Sequence, residues 1–142
     1  MPGYEHHLKD GDIIVTYHRG SIMSKLIAYS TIKWGKISKK KACHVHLYLG
    51  NGKIVESIDG KGVRIRRTKG YSDKSFDLYI CRHSDMTPEL LGKLSKAAAH
   101  RVGEQYAYLQ LFVLLSKYMF KLKKTKDVSK KAMVCSECIA QL

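Results

Sequence analysis

Three residues far apart in this chain are of the types that together perform thiol-dependent hydrolysis. Cys135 follows a lysine-rich segment, whereas His44 and Glu56 lie on two adjacent segments of the first half. Such chemistry needs a thiol nucleophile, an imidazole base and a polar group that orients the imidazole. The sequence therefore predicts Cys135 as the nucleophile, His44 as the base and Glu56 as the orienting residue.

The chemistry of Cys135 depends on its ionisation. A cysteine thiol has a pKa of about 8.5 and attacks as the thiolate. A neighbouring imidazolium and the N-terminus of a helix both favour the thiolate. The residues from Cys135 to Leu142 are apolar enough for a short buried helix. We expect Cys135 to open that helix, where backbone N–H groups would also stabilise an oxyanion.

The relative position of His44 and Glu56 depends on the hairpin that joins them. A two-residue turn places the two side chains on opposite faces of the hairpin. A three-residue loop over 50–52, with a bulge at its left-handed glycine, places His46 opposite Glu56. His44 then lies diagonal to Glu56 on the same face, about 7–8 Å away between backbones. The proposed chemistry requires the bulged hairpin.

The elements that must hold these residues follow from hydrophobic period and turn residues. Asn-Gly and Asp-Gly pairs between apolar runs are strong hairpin signals, so the middle of the chain is predicted to be an antiparallel meander. Thr87 and Pro88 are typical of a helix start, and Gly103 of a helix end. Strands are predicted over 13–15, 44–49, 53–58, 63–67 and 76–82, helices over 21–34, 87–102 and 106–120, and a loop over 121–131.

The motifs and their order resemble the circularly permuted NlpC-type papain-like hydrolases. The YiiX-like bacterial proteins are the nearest group, and lecithin:retinol acyltransferase is similar in its permuted order. The resemblance extends from about residue 10 to residue 142. The motifs that carry it are Gly11-Asp12, His44-Val45, Leu47 to Gly52, Val55-Glu56, Gly103 with Tyr106, and Cys135-Ser136-Glu137.

The resemblance implies one α+β domain over 1–142 with a permuted papain-like fold. Its central antiparallel sheet, a barrel-like meander, would pack with helices, and the nucleophile would lie on the C-terminal helix. It implies a cysteine peptidase or amidase with a Cys-His-Glu triad that cleaves an amide bond, often in peptidoglycan, without a cofactor. Tyr106 falls beside the active site of such enzymes. His46 stands where the family has a small residue, and we expect it and Tyr106 to contact substrate.

The charge of the chain bears on its partners. Lys and Arg number 26 against 12 Asp and Glu, a net charge of +14. A positive field of this size attracts anions and also keeps a protein soluble. We expect an anionic peptide, cell-wall or acyl substrate, and we favour nucleic acid less.

The sequence leaves three alternatives to this hydrolase open. Cys135 and Cys138, with Cys43 and His44 or His46, are ligand types for zinc, and a basic zinc-holding domain would suggest nucleic acid. Against this, Cys43 and His44 are adjacent within one strand pattern. A hydrolase of lipids or acyl esters, or an acyltransferase, would use the same triad. The third alternative is a papain-like binding module without activity.

The location of the protein is predicted from its start and its cysteines. The first residues lack the basic and apolar regions of a secretory signal, and the longest apolar stretch, 106–115, is too short to span a bilayer. Four cysteines without an export signal favour thiols. We therefore expect residence in the cytoplasm, from which a phage product would leave on lysis.

Three further expectations concern the arginines at 64–67, two of the cysteines and a variant of Glu56. Arg64, Arg66 and Arg67 are interpreted as a solvated face, and Cys43 and Cys81 as core residues. Replacement of Glu56 by Gln is expected to lower the rate of reaction more than the stability.

Overall fold

The computed structural model describes residues 4–35, 41–58, 60–69, 71, 74–106 and 132–133, and for 30–35, 106, 132 and 133 only the backbone. A 3₁₀ turn, Tyr4–His7, precedes the first strand. The strands are β1 (Ile13–His18), β2 (His44–Gly50), β3 (Lys53–Ile58), β4 (Gly62–Arg67), β5 (Phe76–Cys81), β6 (Gln105–Tyr106) and β7 (Ala132–Met133), and the helices are α1 (Ile22–Gly35) and α2 (Pro88–Arg101).

The described residues form an α+β structure around a five-stranded sheet with the order β4-β3-β2-β1-β5. All neighbouring strands in it are antiparallel. The predicted meander is confirmed for β2, β3 and β4. It is wrong for β5, which pairs along its whole length with β1 at the opposite edge. After β4 the chain contributes Tyr71 to the core on one face of the sheet before it reaches that edge.

The hairpin between β2 and β3 has the register that the proposed chemistry requires. It reaches this register through a two-residue turn and a bulge within β2 instead of a three-residue loop. Asn51 and Gly52 both have positive φ, which is typical of a two-residue type I′ turn. The extra residue lies inside β2, because Tyr48 pairs with Ile54 and Gly50 with Lys53. This bulge restores the pairing of Leu47 with Val55. His46 therefore lies opposite Glu56.

Each face of the sheet buries its own apolar cluster. On one face α2 packs through Ala98 against three side chains of β2, β3 and β4, namely Leu47, Val55 and Val63. The other face carries Ile14, Tyr48, Ile54 and Tyr71. The polar residues His44, His46 and Glu56 belong to this second face, because side chains alternate along each strand.

Helix α2 begins and ends as its sequence predicts. The Thr87 side chain accepts a hydrogen bond from the Leu90 N–H at 3.1 Å, and Pro88 occupies the first helical position. Gly103 follows the last turn with φ +92°. Helix α1 likewise agrees with the helix predicted over 21–34. No helix among the described residues is long and apolar enough to cross a membrane.

Several sequence-based predictions fall on the second half of the chain. The helix predicted over 106–120 is wrong at its first residue, since Tyr106 belongs to β6 and pairs with Met133 in parallel. Residues 107–131, including the predicted lysine-rich loop, and the predicted helix over 135–142 lie outside the described residues. The prediction that Cys81 is a core residue is also wrong, because the edge strand β5 leaves it exposed.

A buried ion pair anchors the start of β1. The Asp12 carboxylate is fully buried and accepts hydrogen bonds from Arg82 Nε at 2.8 Å and Nη2 at 2.7 Å. The Lys9 N–H also donates to it, at 2.8 Å. Burial raises the pKa of Asp12, but the contacts with Arg82 and Lys9 outweigh burial and lower it. Asp12 is therefore ionised and structural.

We expect Asp12→Ala to lower the free energy of unfolding by about 2 kcal/mol, because Arg82 and the Lys9 N–H lose their buried acceptor. Urea denaturation at neutral pH measures this loss. Asp77→Ala is the matched control, since it breaks the more exposed Arg19–Asp77 pair and should cost about 0–1 kcal/mol. Equal losses in the two variants would contradict a structural role specific to Asp12.

Candidate functional site

The hairpin register brings both histidines of β2 to the carboxylate of Glu56. His46 Nδ1 lies 2.9 Å from Glu56 Oε2, and His44 Nε2 lies 3.5 Å from the same oxygen. The two imidazole rings meet edge to face, with centroids 4.3 Å apart. The structure therefore unites two of the three predicted triad residues on one face of the sheet.

Glu56 is the centre of a wider polar cluster than the sequence indicates. Its side chain is fully buried. Tyr71 donates a hydrogen bond to Oε2 at 2.7 Å. The other oxygen, Oε1, accepts one from Arg64 Nε at 2.8 Å and lies 3.1 Å from Arg66 Nε. Charged and neutral donors thus surround both oxygens of the carboxylate.

These contacts keep Glu56 ionised. Burial by itself raises the pKa of a carboxyl group, because it disfavours the charged form. The contacts with His44, His46 and Tyr71 outweigh burial and hold the pKa of Glu56 well below its ordinary range. In turn, burial and the hydrogen bond to Glu56 raise the pKa of Tyr71, which remains a phenol donor.

His46 is neutral and has one tautomer in this setting. Burial lowers its pKa to about 4, although the contact with Glu56 acts in the opposite direction. A proton on Nδ1 faces the carboxylate, so Nε2 is the acceptor for the Thr16 hydroxyl, 3.2 Å away and also buried. Both ring nitrogens of His46 therefore face protein groups.

Access to solvent distinguishes the two histidines. The side chain of His44 is 15% exposed, whereas that of His46 is 0% exposed. A base must reach the proton that it accepts, so His44 is the better placed of the two. The expected contact of His46 with substrate does not fit its burial. Its geometry is that of a residue that holds the Glu56 carboxylate in place.

The interpretation of Arg64 and Arg66 as part of a solvated face is wrong. Arg64 stands directly opposite Glu56 across the β3–β4 pair, and Arg66 is two residues further along the same face. Their side chains are 23% and 29% exposed and contact the buried carboxylate, so they are not a simple solvated face. The Asp-Gly signal predicts the β3–β4 hairpin but not this pairing. A two-residue turn at 59–60 would place Val63 opposite Glu56, whereas the observed register pairs Glu56 with Arg64. Tyr71, whose ring lies under the Arg66 guanidinium at 4.7 Å, had no sequence signal.

The side chains of the two remaining predicted site residues, Tyr106 and Cys135, are not described by the structure. Tyr106 is placed by its backbone alone, in β6, and Cys135 lies outside the described residues. The neighbouring backbone is informative, because Val63 of β4 exchanges hydrogen bonds with Gly103 and Glu104 just before β6. β7 pairs with β6 and also contacts β4.

The backbone that leads towards Cys135 lies at the same end of the sheet as His44. His44 pairs with Thr16 near the end of β1, and β4 begins at the same end of the sheet with Gly62 paired to Ile58. β6 begins beside that end, because Glu104 and Gln105 lie against Gly62, and β7 pairs with β6. Met133, the last residue of β7, precedes Cys135 by two residues, which span at most about 7 Å.

His44, His46 and Glu56 also offer three ligand atoms within 4.8 Å of one another, a spacing suited to a metal ion. The charges around them oppose such an ion. Arg64 and Arg66 already contact the carboxylate, and a divalent cation would add to their positive charge. Of the residues in the zinc alternative, Cys43 donates its thiol to the Thr16 carbonyl oxygen at 3.3 Å. Cys135 and Cys138 lie outside the described residues.

The comparisons with known proteins give no family for this chain. No family model matches it, and no curated protein shows significant sequence similarity.

Proposed function

We propose that this protein is a permuted papain-like cysteine hydrolase of the peptidase or amidase type. The observation that carries the proposal is the pairing of His44 with a buried, ionised Glu56 at 3.5 Å. A carboxylate in this position orients an imidazole and stabilises the imidazolium. The position of β7 at the same end of the sheet supports Cys135 as the nucleophile.

In this mechanism each nitrogen of His44 has its own role. Because Nε2 faces Glu56, Nδ1 is the atom that takes the proton from Cys135. The thiolate attacks the carbonyl carbon of an amide, the amine leaves with the proton from His44, and a thioester remains. Water, deprotonated by His44, hydrolyses the thioester and restores the thiol.

The substrate that fits the overall charge of +14 is an anionic peptide, such as a cell-wall stem peptide. Glu56 does not itself take up the proton, because its pKa lies well below the working pH. Its contribution is electrostatic and positional. His46, Tyr71, Arg64 and Arg66 fix the carboxylate so that it faces His44.

Alkylation by iodoacetamide at about pH 5.5, with each cysteine assigned by peptide mapping, tests the proposal. A free thiol is only about 0.1% ionised at that pH, so a thiolate–imidazolium pair reacts faster. We expect Cys135 to react about tenfold faster than Cys81, the exposed internal control. The His44→Ala variant should lose this advantage while Cys81 keeps its rate.

Two results would contradict the proposal. If Cys135 reacts no faster than Cys81, there is no thiolate–imidazolium pair. If Cys135 and Cys138 are protected together until a chelator is added, the zinc alternative is correct.

A further inference from the structure

Among the described residues, the large exposed apolar side chains are concentrated on one helix. Six large apolar side chains among the described residues are exposed, and four of them lie within the first eight residues of α1. These four, which we call the α1 stripe, are Ile22 (76% exposed), Met23 (51%), Leu26 (45%) and Tyr29 (57%). This concentration makes α1 the candidate interaction surface among the described residues.

The α1 stripe is continuous because its members follow the helical period. Ile22, Leu26 and Tyr29 are spaced i, i+4 and i+7 and therefore lie on one side of the helix. The opposite side faces the protein through Ser24 and Ala28, which are 8% and 2% exposed. The usual arrangement of an amphipathic helix is thus reversed, since the small residues are buried and the large apolar ones face outwards.

Positive charge accompanies the α1 stripe. Lys25 is exposed within the same helical turns, and Lys41 is exposed beyond the helix, with its Nζ 5.6 Å from the Tyr17 ring centroid. The intervening sequence adds further residues of types that favour membrane interfaces, namely Lys33, Trp34, Lys36, Lys39 and Lys40. Acidic residues do not occur between Ile22 and Lys41.

We propose that the α1 stripe docks this protein on the surface of an anionic lipid bilayer. Outward apolar residues flanked by lysines are the pattern of a helix that lies in the interface, where apolar burial and attraction to anionic headgroups act together. The net charge of +14 supplies the long-range part of that attraction. A protein partner would require an acidic surface with a matching apolar groove, whereas an anionic bilayer meets both requirements along its whole surface.

Docking would also orient the candidate site. β1 ends at His18 and α1 begins at Ile22, so α1 starts from the same end of the sheet as His44, which pairs with Thr16. A bilayer in contact with the α1 stripe would therefore lie near the end of the sheet that carries His44. The docking itself does not depend on the proposed hydrolase activity.

Vesicle binding by the full chain tests the proposal. The probes are vesicles of phosphatidylcholine alone and of phosphatidylcholine with about 30% phosphatidylglycerol. Binding is measured by co-sedimentation and by the fluorescence of Trp34, the single tryptophan of the chain. We expect binding to the anionic vesicles, with a blue shift of Trp34 emission, and affinity at least about tenfold weaker for phosphatidylcholine alone.

Two double variants distinguish binding through the α1 stripe from nonspecific adsorption to the vesicles. Ile22→Gln with Leu26→Gln should lower affinity for anionic vesicles by at least about tenfold. Leu90→Gln with Val102→Gln is the matched control, since these are the other two large apolar residues that are exposed in the part of the chain that the structure describes. It should change affinity by less than about twofold. Circular dichroism of both variants verifies that they fold.

Three results would overturn the proposal. The first is absence of binding to the anionic vesicles. The second is binding that both double variants retain equally, which would mean charge attraction without the stripe. The third is that the wild-type protein binds no vesicles but self-associates, and that Ile22→Gln with Leu26→Gln abolishes this self-association. The stripe would then be a contact with a second copy of the chain.

Discussion

The Glu56→Gln variant is expected to lose about 3 kcal/mol of stability relative to the wild-type protein. The carboxylate balances the guanidinium groups of Arg64 and Arg66, and an amide does not. It also accepts a hydrogen bond from the hydroxyl of Tyr71 and faces His46, and the Glu56 and His46 side chains are both fully buried. A domain of this size has about 5–15 kcal/mol in total, so the loss is a large part of it.

Urea denaturation at neutral pH measures the loss, and Glu89→Gln is the matched control. Glu89 is 82% exposed and pairs with Lys93 one helical turn away, so the same change there should cost less than about 0.5 kcal/mol. If Glu56→Gln is as stable as Glu89→Gln, the buried cluster contributes nothing to the fold.

A double-mutant cycle identifies the partner responsible. Arg64→Met removes one guanidinium that Glu56 balances. In the Glu56→Gln background this replacement should cost less than in the wild type, or even stabilise the protein, with a coupling of about 1–2 kcal/mol. Additive losses would mean that the destabilisation arises from the other groups around the carboxylate.

This result changes how the activity of Glu56 variants must be interpreted. The sequence alone predicts that Glu56→Gln lowers the rate more than the stability. The structure predicts a large effect on stability, so a loss of activity in this variant would not by itself show a role in the reaction. The His44→Ala alkylation experiment avoids this ambiguity, because His44 lies at the edge of the cluster and is partly exposed.

The parts of the fold that the sequence predicts well are those decided by neighbouring residues. The start of α2 follows from Thr87 and Pro88, whose preferences act within one turn of helix. The β2–β3 and β3–β4 hairpins follow from Asn-Gly and Asp-Gly turns between alternating strands. The pairing of β5 with β1 is decided instead by contacts between residues 58 to 68 positions apart, which no local pattern encodes.

In the candidate site, too, the features set by neighbouring residues are predictable and those set by distant residues are not. His44 and Glu56 come together because one hairpin with one bulge sets their register, and this was predictable once the bulge was required. Its location inside β2, before Gly50, was not. Tyr71 reaches Glu56 from a loop, and the roles of Arg64 and Arg66 depend on the burial of Glu56, which a charged residue in a strand does not reveal.

Acid is expected to destabilise the protein well above the pH at which carboxylates normally titrate, because His46 is buried in its neutral form. Its pKa is about 4 in the folded protein and about 6.5 in an unfolded chain. The unfolded chain therefore binds this proton more tightly, and stability that is complete above about pH 6.5 declines as the pH falls towards 4. Between pH 7.5 and pH 4.5 the loss from His46 is about 2–3 kcal/mol. Glu56 adds to it only below about pH 4.3, where its carboxylate protonates in the unfolded chain but not in the folded one.

Urea denaturation at these two pH values, in the wild type and in His46→Gln, isolates the contribution of His46. The glutamine side chain does not titrate but still offers a donor and an acceptor, so the pH dependence of this variant should be smaller by about 2–3 kcal/mol. His100→Gln, at the exposed end of α2, is the control and should keep the wild-type dependence. If His46→Gln and the wild type lose equal stability in acid, then His46 is not a buried neutral imidazole. The Glu56 carboxylate would in that case face an imidazolium, and the assignment of His44 as the base would lose its main structural support.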